Sequence, residues 1–187
     1  CISSDKIPYF RTYWRLGFLT SCHIHDICFL DSCPNCGSSI DLIRYKKTDN
    51  KIFEPLDYLK CNQCSFDLRD SPQIKPSYYE IEATKEHLTL LVEGHGSIGN
   101  LTFNYSHLYY DGLKRIMSFI LCSKKGIDIF EYIVNKFGFN SNYIESRMKV
   151  SRYSEPEHLT INIRKIGIIF SYYIMKDWPI SFIKICK

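Results

Sequence analysis

Four cysteines stand in two pairs whose spacing suits metal chelation. Cys33-Pro34-Asn35-Cys36-Gly37 and Cys61-Asn62-Gln63-Cys64 are two C-x-x-C turns with 24 residues between them. Two sulfurs three positions apart, in a turn tightened by Pro and Gly, can hold one zinc from two sides. A second such turn completes a tetrahedron. Four thiolates form a closed, structural set with no open position for water. Disulfides would need an oxidising compartment, for which no signal peptide argues. A redox dithiol comes singly and in a βαβ setting, and neither holds here.

A second set is Cys1, Cys22 and His25. Cys22-x-x-His25 has ligand spacing, and Cys1 stands 21 residues upstream. Three ligands could leave an open, catalytic position. The expectation here is a truncated structural site instead, with Cys1 as the second half of another C-x-x-C and one ligand missing. His23 competes with His25 but has poorer spacing. Cys28, Cys122 and Cys186 are singletons read as packing residues. No Walker, Rossmann, G-x-S-x-G or H-E-x-x-H pattern is present. The spacing of Gly94, Gly96 and Gly99 follows a helical segment instead of a strand, so it is not read as a dinucleotide loop. The carboxylates are scattered, and His87, His107 and His158 have no acid partner at helical spacing. The chain is therefore expected not to be an enzyme.

These ligands need scaffolding. Ile40–Tyr45 and Ile52–Leu59 flank the polar tip Lys46-Lys47-Thr48-Asp49-Asn50-Lys51, which predicts a β-hairpin between the cysteine pairs. Arg69–Ser77 reads as a linker. Helical periodicity follows. Leu88, Leu91 and Val92 share a face over Thr84–Glu93. Leu113, Ile116, Met117 and Ile120 recur over Ser106–Ser123, with Ser106 as N-cap. Ile127–Phe137 ends at Gly138. A long last helix is expected from Ser154-Glu155-Pro156-Glu157 to about Asp177, before Pro179. The fold class is thus mainly α with a small zinc-ribbon β-hairpin: two zinc-binding motifs on a helical bundle. The expected domains are residues 1–68 and 78–187.

The 187 residues, 45% hydrophobic and 24% charged, suit a globular protein and exclude whole-chain disorder. The longest apolar run, Ile166–Met175, is too short for a membrane span, which needs about 20 residues. Formal net charge is +4, falling to about +2 with both sites metallated. That balance allows a local nucleic-acid patch without demanding one. Candidates for DNA contact are Arg44, Lys46, Lys47 and Lys51 around the hairpin tip. Arg11 and Arg15 join them from the aromatic stretch Pro8–Leu16, whose Tyr9, Tyr13 and Trp14 are read first as packing across the zinc sites. Arg147, Lys149 and Arg152 form a further basic cluster.

Taken in order, Cys1, Asp5, Pro8-Tyr9-Phe10-Arg11, Trp14-Arg15-Leu16, Cys22-x-x-His25 and Cys33-Pro34-x-Cys36-Gly37 resemble the TniQ/TnsD family of transposon target-selection proteins. The likeness is specific over residues 1–64. Beyond them, Asp177-Trp178-Pro179 and Phe182 resemble a helix ending in that family. In this comparison the opening cysteine of the first zinc site is missing, as are the N-terminal region with helix-turn-helix features and any C-terminal DNA-reading extension. The resemblance implies a non-enzymatic cytoplasmic, nucleoid-associated adaptor with two Zn2+ sites. It implies double-stranded DNA and a transposition AAA+ ATPase regulator as partners, and in some relatives a CRISPR RNA-guided complex. It leaves room for a homodimer. The rival readings are a protein-only scaffold and, less well supported, a zinc hydrolase.

Overall fold

The computed structural model describes residues 11–40, 45–47, 53–55, 59–151 and 154–185. Cys1, Tyr9, Arg44, Lys51, Arg152 and Cys186 lie outside them. Among the described residues there are six α-helices and three two-stranded antiparallel sheets. The sheets are β1 (Ser21–Cys22) with β2 (Ile27–Cys28), β3 (Tyr45–Lys47) with β4 (Phe53–Pro55), and β5 (Gly96–Ile98) with β6 (Leu101–Phe103). The helices are α1 (Tyr78–Glu93), α2 (Ser106–Cys122), α3 (Ile127–Lys136), α4 (Asn142–Met148), α5 (Ile161–Lys176) and α6 (Ile180–Ile185).

Helix α5 is the axis of the fold. It is buried around most of its circumference, from Ile161 and Ile163 through Ile166, Ile169 and Phe170 to Ile174 and Met175, with Asn162 and Lys176 exposed near its ends. Its neighbours are α1, α2, α3, α4 and α6. That explains the unbroken apolar run, since a helix wrapped by others needs no polar face. Gly167 lets α2 approach closely: a Cβ there would press on the Leu121 side chain. The helix begins later than the capping-box spacing suggests. Pro156–His158 forms a separate 3-10 turn, and Thr160 is the N-cap. Asp31 explains the late start, because its Oδ2 accepts from the Ile161 N–H at 2.7 Å. A distant carboxylate supplies what a local cap would otherwise provide.

Helix α1 departs further from expectation. It starts at the Ser77 cap, whose Oγ accepts from the Glu80 N–H. Its buried face is Glu80, Ala83, Thr84, His87 and Leu90. Leu91 is 41% exposed and Val92 84% exposed, so the Leu88–Leu91–Val92 stripe is not the core face. Polar residues face inward because polar partners await them. Thr20 Oγ1 donates to Glu80 Oε1 at 2.7 Å, and the Ser21 and Thr84 hydroxyls are 3.2 Å apart. Arg164 Nη1 donates to the Gly17 carbonyl at 2.9 Å, and Phe18 stacks on Tyr110. The cysteine-bearing residues around 17–32 are thereby fastened to α1, α2 and α5.

Helices α2 and α3 match their periodicity, burying Leu113, Met117 and Ile120, and Phe130, Ile133 and Val134. The N-cap of α2 is Tyr105, not Ser106; the Ser106 N–H donates instead to the Gly94 carbonyl. The glycine-bearing segment after α1 forms the β5–β6 hairpin. Pro179 does end α5, and α6 follows it, with Trp178 half-buried and its ring 4.9 Å from that of Phe182.

Candidate metal centre

The two C-x-x-C turns fold alike. Gly37 N–H donates to the Cys33 carbonyl at 2.8 Å, and Ser65 N–H donates to the Cys61 carbonyl at 2.9 Å. The chain then reverses, so that Cys33 N–H meets the Ser38 carbonyl and Cys61 N–H the Phe66 carbonyl, both at 2.8 Å. The fourth residue after each first cysteine takes a left-handed backbone, Gly37 with φ 72° and Ser65 with φ 58°. Glycine adopts this readily, and serine only under local constraint.

The sulfurs of Cys33, Cys36, Cys61 and Cys64 lie within 4.8 Å of one another. Cys33 Sγ is 3.7 Å from Cys64 Sγ, and Cys36 Sγ is 3.6 Å from Cys61 Sγ. A tetrahedron with Zn–S bonds of ~2.3 Å has edges of about 3.8 Å. The group could hold a metal ion and its dimensions are compatible with zinc. The Ser38 hydroxyl lies 3.1 Å from Cys36 Sγ and 3.2 Å from Cys61 Sγ. That hydroxyl, with the backbone N–H groups of Cys64 and Gln63, brings the Cys61 thiol down to about 5. Cys36 is lowered for the same first reason, whereas burial pushes Cys33 up to about 11. Thiolate is the form a metal binds, so Ser38 favours the ligating state at two of the four positions.

Cys22 and His25 repeat this local geometry. Cys22 pairs with Ile27 across β1 and β2, five residues on, as Cys33 does with Ser38. Asp26, again the fourth residue after the cysteine, has φ 49°. Cys22 Sγ lies 3.5 Å from His25 Nδ1. Burial raises the Cys22 thiol, but backbone N–H groups of Ile24 and His25 and the His25 ring outweigh it and leave it below its ordinary value. Cys22 and His25 are brought together in the same kind of turn; Cys1 lies outside the described residues.

The remaining candidates are scattered. Arg11 is half-buried and Arg15 exposed, beside the 3-10 turn Thr12–Arg15. The aromatics of that turn pack over the loops: Trp14 lies 5.6 Å from Phe29 and Tyr13 5.8 Å from His23 between ring centres. Lys46 and Lys47 sit within β3, opposite Glu54 and Phe53, and not at the hairpin tip. β3 thus runs two residues past the strand end expected at Tyr45. Arg147 is 2% exposed and cannot line a nucleic-acid backbone. Its Nε donates to the Ile120 carbonyl and its Nη2 to the Ser123 carbonyl. Cys122 is buried, as a small apolar residue would be. Cys28 is half-buried with Glu80 3.9 Å away, and burial pushes its thiol up to about 11.

The burial of three ionisable residues escaped the sequence reading: Glu80, His87 and Arg147. For Glu80 a signal existed, since Ser77-x-x-Glu80 has capping-box spacing. Its side chain instead turns inward to Thr20. No comparable signal marks His87, whose Nδ1 lies 3.0 Å from the Tyr109 hydroxyl. Compared with known proteins, the chain matches no family model, no curated protein and no solved structure. No helix among the described residues is long and apolar enough to cross a membrane.

Proposed function

We propose that this chain is a zinc-stabilised, non-enzymatic adaptor that binds double-stranded DNA and directs a transposition machinery to its target, engaging that machinery's AAA+ ATPase regulator. The observation that carries the zinc half is the four-sulfur group, whose spacings match the edges of a zinc–thiolate tetrahedron. Such a closed set is structural, because it leaves no position for substrate. A second zinc is held by Cys22 and His25, with Cys1 supplying a third ligand. The repeated turn geometry at Cys22, Cys33 and Cys61 supports it. The target-selection half rests on the resemblance of residues 1–64 described above.

Two measurements test the reading. Metal analysis of the purified chain should give more than one zinc per chain. Removing the gene from its host should abolish the site preference of new insertions of the associated element. An unchanged insertion distribution would overturn the transposition reading, and a metal-free chain with oxidised Cys33 and Cys36 would overturn the zinc reading.

A further inference from the structure

Residues 31–40 form a small hairpin closed by three rungs. Ile40 N–H donates to the Asp31 carbonyl at 3.0 Å, Ser32 pairs with Ser39, and Cys33 N–H donates to the Ser38 carbonyl at 2.8 Å. Cys33 and Cys36 sit at its closed end and Asp31 at its open end. Little but the sulfurs holds this hairpin in shape. Cys33 is its one buried residue, while Ser32, Pro34, Asn35, Cys36, Gly37 and Ser39 are exposed. A lone hairpin without an apolar face to bury is marginal in water. Two of the four clustered sulfurs belong to it, and the other two come from Cys61 and Cys64. A metal held by the four would therefore fix the hairpin and fasten it to the second turn.

The open end of the hairpin serves α5. Thr160, the N-cap, makes no side-chain capping bond. Asp31 takes over that part: its Oδ2 accepts from the Ile161 N–H at 2.7 Å, across 130 positions of sequence. The first N–H groups of a helix have no partner within it, and a carboxylate placed there also meets the positive end of the helix dipole. Arg164, one turn into α5, faces the Asp31 charge as well, and its Nη1 donates to the Gly17 carbonyl at 2.9 Å. Asp31 and Ser32 also make one wall of an open cleft of about 420 Å³, whose other walls include Asn142 and Ser146 of α4 and Asn162 of α5. The cap of α5 is thus carried by a segment whose own order depends on a sulfur two residues further on.

We propose that the hairpin of residues 31–40 is a metal-dependent latch on α5. With the cysteine group loaded, Asp31 is presented to the Ile161 N–H and the first turn of α5 is closed. With the metal withdrawn, the hairpin loosens, Asp31 leaves, the first turn of α5 frays and the cleft loses a wall. This rests on the zinc reading above and adds a second place where the metal acts, the start of the helix at the centre of the fold. Coupling between two sites is reciprocal. Whatever metal binding adds to the cap, the cap returns to metal affinity. An N-cap side chain is worth a factor of roughly 2 to 30 in an equilibrium constant, and that bounds the coupling.

The test uses the purified, zinc-loaded chain, with hydrogen exchange read at single amides by NMR. A zinc chelator should speed exchange at Ile161, Asn162 and Ile163 by roughly 2- to 30-fold, while the amides of α2 and α3 keep their protection. Asp31→Ala should speed the same amides in the loaded chain, and the chelator should then add nothing there. Its zinc affinity, measured by competition against a chromophoric chelator, should fall by the same factor. Asp31→Asn keeps an oxygen acceptor and a good N-cap side chain, so it should restore both properties. A residue that merely stabilised the fold would not move zinc affinity and the α5 amides by one common factor. A zinc-bound chain whose α5 amides ignore the chelator would overturn the latch and leave the zinc reading standing. So would Asp31→Ala with parental zinc affinity, or exchange that rises equally in α2 and α3. A chain that takes up no zinc would overturn both.

Discussion

His87 is fully buried, and burial alone holds its imidazole down to about 3. An unfolded histidine takes up a proton near its ordinary value of 6.5. Between pH 6.5 and about 3 the unfolded chain therefore binds a proton that the folded chain refuses. The stability present above 6.5 is lost as pH falls through this window, by up to about 5 kcal/mol for the full shift. His87→Asn keeps a polar partner for Tyr109 and cannot charge. Denaturant midpoints from pH 7 to pH 4 should fall less steeply in this variant than in the parent. Glu80 works in the opposite sense. Burial raises its carboxyl above the ordinary value of 4.5, against the Thr20 hydrogen bond and the Lys165 charge. Its contribution is whole below 4.5 and is lost as pH rises through the folded value. Glu80→Gln should match the parent at pH 4 and have the higher midpoint at pH 8.

Arg147 shows how one side chain terminates an element. The last carbonyls of a helix lack partners within it. In α2 the Ile120 carbonyl, together with that of Ser123 just past the helix, receives the guanidinium of Arg147, a cation placed at the helix C-terminus. Burial lowers the Arg147 guanidinium pKa from its ordinary value, yet the hydrogen bonds to backbone carbonyls make its place tenable. Arg147→Met keeps the bulk and removes both bonds. It should cost about 2–4 kcal/mol and loosen the α2–α4 contact. Hydrogen exchange should show faster amide exchange confined to the C-terminal half of α2, the Lys124–Gly126 turn and α4. A uniform change across the chain would argue against this local role.

At the scale of the whole molecule, the described residues hold an apolar core and, apart from it, a four-cysteine group that could bind a metal. The buried apolar cluster draws on residues from Ala83 onward, in all the longer helices, and none of the four clustered cysteines belongs to it. A metal held by the four clustered cysteines would instead supply folding free energy on the order of 10 kcal/mol to the residues around them. A chelator, or Cys33→Ser or Cys64→Ser, should unfold residues 30–66 while the helical circular dichroism largely persists. Cooperative loss of all helix on metal removal would show the two parts to be one unit. The cysteine-bearing part is tied to the helices by the Asp31–Ile161 hydrogen bond and by the polar seam from Thr20 and Ser21 to Glu80 and Thr84.

The grouping of Cys33, Cys36, Cys61 and Cys64 could be read from the amino-acid order because chelation demands sulfurs at short, fixed intervals. Helices α2 and α3 were legible for a similar reason: the buried residues of each gather on one face, and periodicity records one face. Helix α5 lost its period by being enclosed, which hid its start. Helix α1 misled because its inward face is polar, and a polar face is written as core only when its partners are known. Those partners, Thr20 and Ser21, lie about 60 residues away. Helix α4 is seven residues long, too short for a periodic signal, and owes its place to Arg147 and to the left-handed turn at Gly138. Arg147 looked like a surface cation in a basic run until the fold brought two carbonyls to it. Local intervals are carried by the chain itself, whereas the burial of a charge is decided by groups that only tertiary packing brings within hydrogen-bonding distance.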